Sequence, residues 1–124
     1  MKLHLTQAAG NQLITGYTHE WVSINHQRFE HSVIVLPTEV RSDWPVSNFD
    51  DLKAEDFALL LTLKPEVVLL GTGQKHRFIH PRLIAGLTEN NIAVECMTTD
   101  AACRTYNILM AEGRMVAAAL ILEN

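Results

Sequence analysis

Apolar and polar positions alternate on a period of two through the first third of the chain. Leu3 and Leu5, Leu13 to Tyr17, Trp21-Val22-Ser23-Ile24, Phe29 and the run Val33 to Leu36 follow it, the pattern of half-buried β-strands. Asn25-His26 separates two of these runs and suits a hairpin, because asparagine tolerates the positive φ that a two-residue loop demands. Pro37 closes the last run. From Thr38 to Asp51 the pattern lapses into proline, aspartate, serine and single aromatics, Trp44 and Phe49, which reads as a surface connection pinned by two rings.

The period then changes. Ala54 to Leu63 carries Phe57, Leu60 and Leu61 at helical spacing, with Glu55 and Asp56 in the turn where the helix dipole favours anions, and Pro65 ends it. Val67-Val68-Leu69-Leu70 is β-branched-rich without polar interruption, so a strand covered on both faces is expected, the most buried of the chain; Gly71-Thr72-Gly73 breaks it. Pro81 suits the first position of a helical segment through Glu89, and Asn90-Asn91 can stop that segment in a left-handed conformation. Ile92 to Cys96 reads as a second inner strand. Thr98 or Thr99 can cap a helix running to about Ala111, Gly113 suits its exit, and Met115 to Leu122 makes a final strand. The back half is therefore β-α-β-α-β, an α/β pattern whose three strands should lie side by side in one sheet.

Length and composition narrow the class. The 124 residues point to one domain spanning residues 1–124, and a 48% apolar content can fill its core without disulfides or metals. A net charge of −4 argues against a dedicated nucleic-acid binder or a polybasic membrane anchor. The longest apolar run, Val116 to Leu122, is far short of the roughly 20 residues of a membrane-spanning helix, so no span is expected. Met1-Lys2-Leu3-His4-Leu5 has the character of neither a signal nor a transit peptide, which leads to an expectation of a soluble, cytoplasmic protein. Cys96 and Cys103 are read as reduced thiols. The net negative charge belongs to the front half: residues 1–62 hold 4 basic and 8 acidic side chains, residues 63–124 hold 6 of each. An anion would thus sit in the back half.

Several residues there invite chemistry. Gly71-Thr72-Gly73, after a strand and ahead of a helix, can bring backbone amides to a phosphate, although neither a dinucleotide fingerprint nor a P-loop is completed and a structural turn is favoured. Lys75, His76, Arg77, His80 and Arg82 form a local basic stretch with no acid between Glu66 and Glu89. His76 and His80 have the spacing of a helical metal pair, but Pro81 biases His80 away from helical angles, and no metal or other cofactor is expected. Cys103, beside Arg104 in the opening turns of its helix, could have a lowered thiol pKa. Packing beside Ala102, Tyr106 and Met110 is the favoured reading, with Leu109 on the same arc. Asp100, Arg104 and Asn107 share the polar flank, where Asp100 and Arg104 can pair. Glu95 is expected to face solvent. If the strands ending at residues 70 and 96 are neighbours, Gly71, Thr72, Gly73, Thr98, Thr99 and Arg104 converge on one cleft suited to a carboxylate or phosphate, with Arg77 and Asn107 as further ligand-binding candidates.

Leu70-Gly71-Thr72-Gly73 with Arg77-Phe78, and the run Glu95 to Leu109, carry a resemblance. In these segments the chain resembles the small family of unassigned biochemical function that includes mitochondrial complex I assembly factor 3 and the adipogenesis-associated domain proteins. The resemblance runs over nearly the whole chain, strongest from Pro65 to Leu122. It implies a compact sandwich of mixed β-sheet with helices and a strand-rich front making a hammerhead-like excursion. It also implies a binding or assembly role on protein partners ahead of catalysis, since the family supplies no catalytic residues to carry over. The lack of a transit peptide suggests a bacterial-type stand-alone member. The alternative is a small-molecule enzyme or ligand-binding protein using the anion cleft.

Overall fold

The computed structural model describes residues 11–123, so the expected pairing of Leu3 and Leu5 and the reading of Met1 to Leu5 lie outside the described residues. Among the described residues, eight strands form two sheets. The smaller is an antiparallel meander of β1 (Ile14–Tyr17), β2 (Val22–Ile24) and β3 (Gln27–Phe29). Asn25 and His26 form the β2–β3 turn with φ of 49° and 71°, both positive as a tight hairpin of right-handed twist requires.

The larger sheet has the order β5-β4-β8-β6-β7, from β4 (Val33–Leu36), β5 (Glu39–Arg41), β6 (Val67–Gly71), β7 (Ala93–Met97) and β8 (Val116–Leu120). β6 is parallel to β7 on one side and to β8 on the other, while β4 joins β8 antiparallel. The back half is thus β-α-β-α-β within one mixed sheet, as the periodicity indicates. Two expectations change. Glu39-Val40-Arg41 is a strand rather than part of an irregular connection, because Pro37-Thr38 turns the chain back onto β4. β7 is an edge strand, not an inner one: β6 and β8 take the centre, and Ala93 and Glu95 of β7 face solvent.

Both faces of this sheet are covered, and the side-chain alternation divides them cleanly. Val33, Val35, Val67, Leu69, Val116, Ala118 and Leu120 point to one face. There they meet the meander and α3 (Thr99–Ala111), which presents Ala102, Cys103, Tyr106 and Met110. Ile34, Leu36, Val68, Leu70, Ala117 and Ala119 point to the other, against Trp44, α1 (Ala58–Leu63) and α2 (Ala85–Glu89). Burial of both faces explains why β6 reads as an unbroken apolar run. β8, buried at every residue, is at least as enclosed as β6.

The helices of the second face are short. Ala54–Phe57 is a 3-10 turn leading into α1, which Lys64 ends in the left-handed conformation with φ of 52°. Pro81–Ile84 is likewise a 3-10 turn leading into α2, with Pro81 at its start, and Asn91 takes φ of 62° beyond it. No helix among the described residues is long and apolar enough to cross a membrane.

Candidate functional site

Strands β6 and β7 are neighbours, so their carboxyl ends open on one edge, where ligands of α/β sheets usually bind. Gly73, Thr98 and Thr99 line a cavity of about 230 Å³ there, together with His19, Gln74 and Asp100. The polar groups of this edge are largely bonded to one another. The Gly73 amide donates to the Thr99 hydroxyl at 2.9 Å, and that hydroxyl donates to the Ile121 carbonyl at 2.8 Å. The Thr72 amide donates to the Met97 carbonyl at 2.8 Å, and the Thr72 hydroxyl accepts from the Arg77 amide at 3.2 Å. Thr98 caps α3, accepting from the Ala101 amide at 3.3 Å. Gly71 is required by proximity: a Cβ there would stand 2.9 Å from the Thr99 Cα.

The remaining candidates lead elsewhere. Arg104 donates to the Tyr17 hydroxyl at 3.2 Å rather than pairing with Asp100, and that bond is the chief reason its pKa is pushed up. Asn107 clamps the backbone of Ile14, accepting from its amide at 3.0 Å and donating to its carbonyl at 2.8 Å. It holds the meander against α3. Arg77 reaches across to Asp50 at 3.1 Å and lies over the Phe49 ring, 5.5 Å from its centroid. His80 accepts from the Arg82 amide and caps the turn at Pro81, which gives that ring nitrogen a structural role. Glu95 is exposed, as alternation indicates.

Cys103 is fully buried. Burial first, and the charge of Asp100 second, push its thiol up to about 12 against the opposing pull of Arg104. The lowered pKa that its place on the helix suggested is absent, and packing is its role. The dipole and the guanidinium cannot offset removal of a thiolate from water.

One feature of this end is not signalled by the alternation of polar and apolar residues. Phe78, in the loop that leaves β6, is 82% exposed and lies against His76 with ring centroids 4.6 Å apart. Beside this loop a groove of about 210 Å³ runs between the two short helices, lined by Phe57, Ala58, Leu61, Arg82, Leu83 and Gly86 among others. The only hint in the sequence is an aromatic residue inside an acid-free basic stretch.

Residues 14–121 match the family described as protein of unknown function (DUF498/DUF598). The chain belongs to this family. Among relatives of this DUF498 chain, NADH dehydrogenase (ubiquinone) 1 alpha subcomplex assembly factor 3 of Mus musculus is 36% identical over 110 residues, covering 87% of this chain and 59% of the relative. The chain therefore spans about three-fifths of the length of that assembly factor. A crystal structure of a Bordetella parapertussis protein superposes with a TM-score of 0.85 at 38% identity, covering 92% of this chain and 98% of the other. A solution structure of a Bordetella pertussis protein described as an Mth938-like domain gives 0.82 at 30% identity, covering 96% and 89%. The fold is the mixed α/β arrangement of these relatives, and the resemblance read from Leu70 to Phe78 and Glu95 to Leu109 is a true family relationship.

Proposed function

We propose that this chain is a non-catalytic binding module that acts on protein partners in the manner of an assembly factor. The observation that carries the reading is Phe78, a large apolar side chain held in solvent at 82% exposure on the loop leaving the open edge of the sheet. Exposed aromatics of this kind serve as anchors that a partner desolvates, and they dominate binding energy where they are covered. The assembly-factor name of the mouse relative supports the same reading. A native pull-down from cell extract, with the intact chain and with Phe78→Ala, tests it. Reproducible protein partners that are lost with Phe78→Ala are expected. A bound small molecule found by mass spectrometry, with partners absent or indifferent to Phe78, overturns it in favour of the anion cleft at Gly71, Thr72, Gly73, Thr98 and Thr99. In that case Thr98→Ala weakens ligand binding by more than it lowers stability.

A further inference from the structure

The surface around Phe78 carries a knob and a hole on one chain. The knob is Phe78, and the basic side chains Lys75 and Arg82 stand on either side of it in sequence, with His76 and His80 between them. Among the described residues neither Lys75 nor Arg82 forms an ion pair. The hole is the groove between α1 and α2, its walls apolar apart from Arg82, with room for one aromatic ring. At Gly86 on its wall, an added Cβ would meet nothing within 4 Å. The segment that leads into the groove's first helix is acidic: Asp50, Asp51, Glu55 and Asp56 against the single cation Lys53.

These two halves are adjacent. The Arg77–Asp50 ion pair ties the basic loop to the acidic segment, and Arg82 and Leu83, just beyond the loop, line the groove itself. Phe78 is too exposed to occupy the groove of its own chain. A molecule that presents a knob beside a hole, on a basic loop next to an acidic segment, is complementary to itself across a two-fold axis, where each contact is made twice.

We infer that this face binds a second copy of the chain, the Phe78 of each protomer entering the groove between α1 and α2 of its partner while each basic loop lies against the partner's Asp51 and Glu55. A membrane fits less well, because a flat anionic surface approaching Lys75 and Arg82 would also meet the acidic segment joined to the loop through Arg77. The inference rests on the reading of the Phe78 loop as a protein-docking face and names the occupant.

Sedimentation equilibrium of the full chain at low and moderate salt tests it, with vesicles of anionic lipid as a separate arm. The expected result is a particle of twice 13.9 kDa, and a self-association constant weakened at least about tenfold by Phe78→Ala. Reversing the loop with Lys75→Glu and Arg82→Glu should leave a monomer, and so should reversing the acidic segment with Asp51→Lys and Glu55→Lys. An equimolar mixture of the two double variants should recover the dimer, because each then meets its opposite at both contacts. Thermal melts establish that every variant is folded. A wild-type chain that stays monomeric to about 1 mM, a range in which even weak complexes assemble, overturns the inference. So does self-association indifferent to Phe78→Ala, failure of the mixture to recover a dimer, or vesicle binding in its place. If only self-association fails while the pull-down still loses partners with Phe78→Ala, the protein-docking reading stands and its occupant is a different protein.

Discussion

On one face of the five-stranded sheet a 13-residue helix and a three-stranded meander lie over the apolar row from β4, β6 and β8. On the other, helices of 6 and 5 residues, each preceded by a 3-10 turn, share the cover with the irregular run around Trp44. Both rows are equally apolar, yet the covers differ in how far they close. The first is tied by side chains to backbone: Asn107 to Ile14, and the Tyr106 hydroxyl to the Gln12 carbonyl at 2.6 Å. On the second, Trp44 makes a comparable tie, its indole N–H donating to the Asp56 carbonyl at 2.8 Å, while the two short helices leave a groove between them. Both covers are thus tied to backbone, and the second also carries a groove. A binding surface needs apolar area that its own chain does not cover, and the second face offers it at Phe78 and in the groove.

The sharpest way to break this contrast is to add volume on each side. At Gly71 a β-carbon meets backbone, the Thr99 Cα at 2.9 Å, so the start of α3 must move off the sheet. Gly71→Val is expected to cost roughly 3 kcal/mol or more, the range of severe overpacking, or to prevent folding. Denaturant titration checks it. A loss under about 1 kcal/mol would show that α3 is not rigidly seated and that the first face is as adaptable as the second.

A smaller effect is expected from the clamp. Asn107→Ala removes two bonds to the Ile14 backbone and leaves that amide and carbonyl short of partners, at a cost of about 2 kcal/mol. Hydrogen exchange should show the loss unevenly. Amides of β1 to β3 should exchange faster, while those of β6 and β8 keep their protection relative to global stability. Uniform acceleration would mean that the meander and the large sheet open together.

The two faces were not equally legible. The α3 face is readable because its helix is long: Thr98 as cap, the arc Ala102, Cys103, Tyr106 and Met110, and Gly113 at the exit all fall at fixed offsets. The roles of Asn107 and Arg104 were not, since each bonds to a residue roughly 90 positions away and no local pattern encodes such a partner. On the other face the segment from Ala54 reads as one helix because 3-10 and α turns share nearly the same spacing over so few residues. Strand β5 was missed because three half-buried residues show no period. β7 was misplaced because an apolar run does not say whether one edge or two are paired, and Phe78 escaped because burial of a single loop aromatic is decided by the fold.

On the second face the corresponding substitution should be tolerated. Gly86 lies within α2, and an alanine Cβ there meets nothing within 4 Å. Gly86→Ala should stabilise by roughly 0.5 kcal/mol through the reduced freedom of the unfolded chain, read as a small rise in melting temperature. A destabilisation of about 1 kcal/mol or more, the sign of steric conflict, would show that the groove closes in solution.

The smallest expected effect lies at the opposite end of the sheet, where neither cover contributes. Glu66 accepts from the Met115 amide at 3.2 Å and from the Arg114 guanidinium at 3.3 Å. The Met115 bond first, then the bond to Arg114, hold its pKa below the ordinary 4.5. The folded protein therefore binds this proton more weakly than the unfolded chain does. Its stabilisation is present above the ordinary carboxyl value and is lost as pH falls through the lower folded value. Glu66 is exposed, and solvent screening keeps the contribution small. Glu66→Gln should therefore lower the melting temperature slightly at pH 7 and leave it equal to the parent's well below pH 4, when both chains carry a neutral side chain. A difference between the two that persists unchanged into acid would mean that the amide substitution disturbs the β6–β8 entry sterically. The tie at Glu66 would then be a packing contact rather than a charged one.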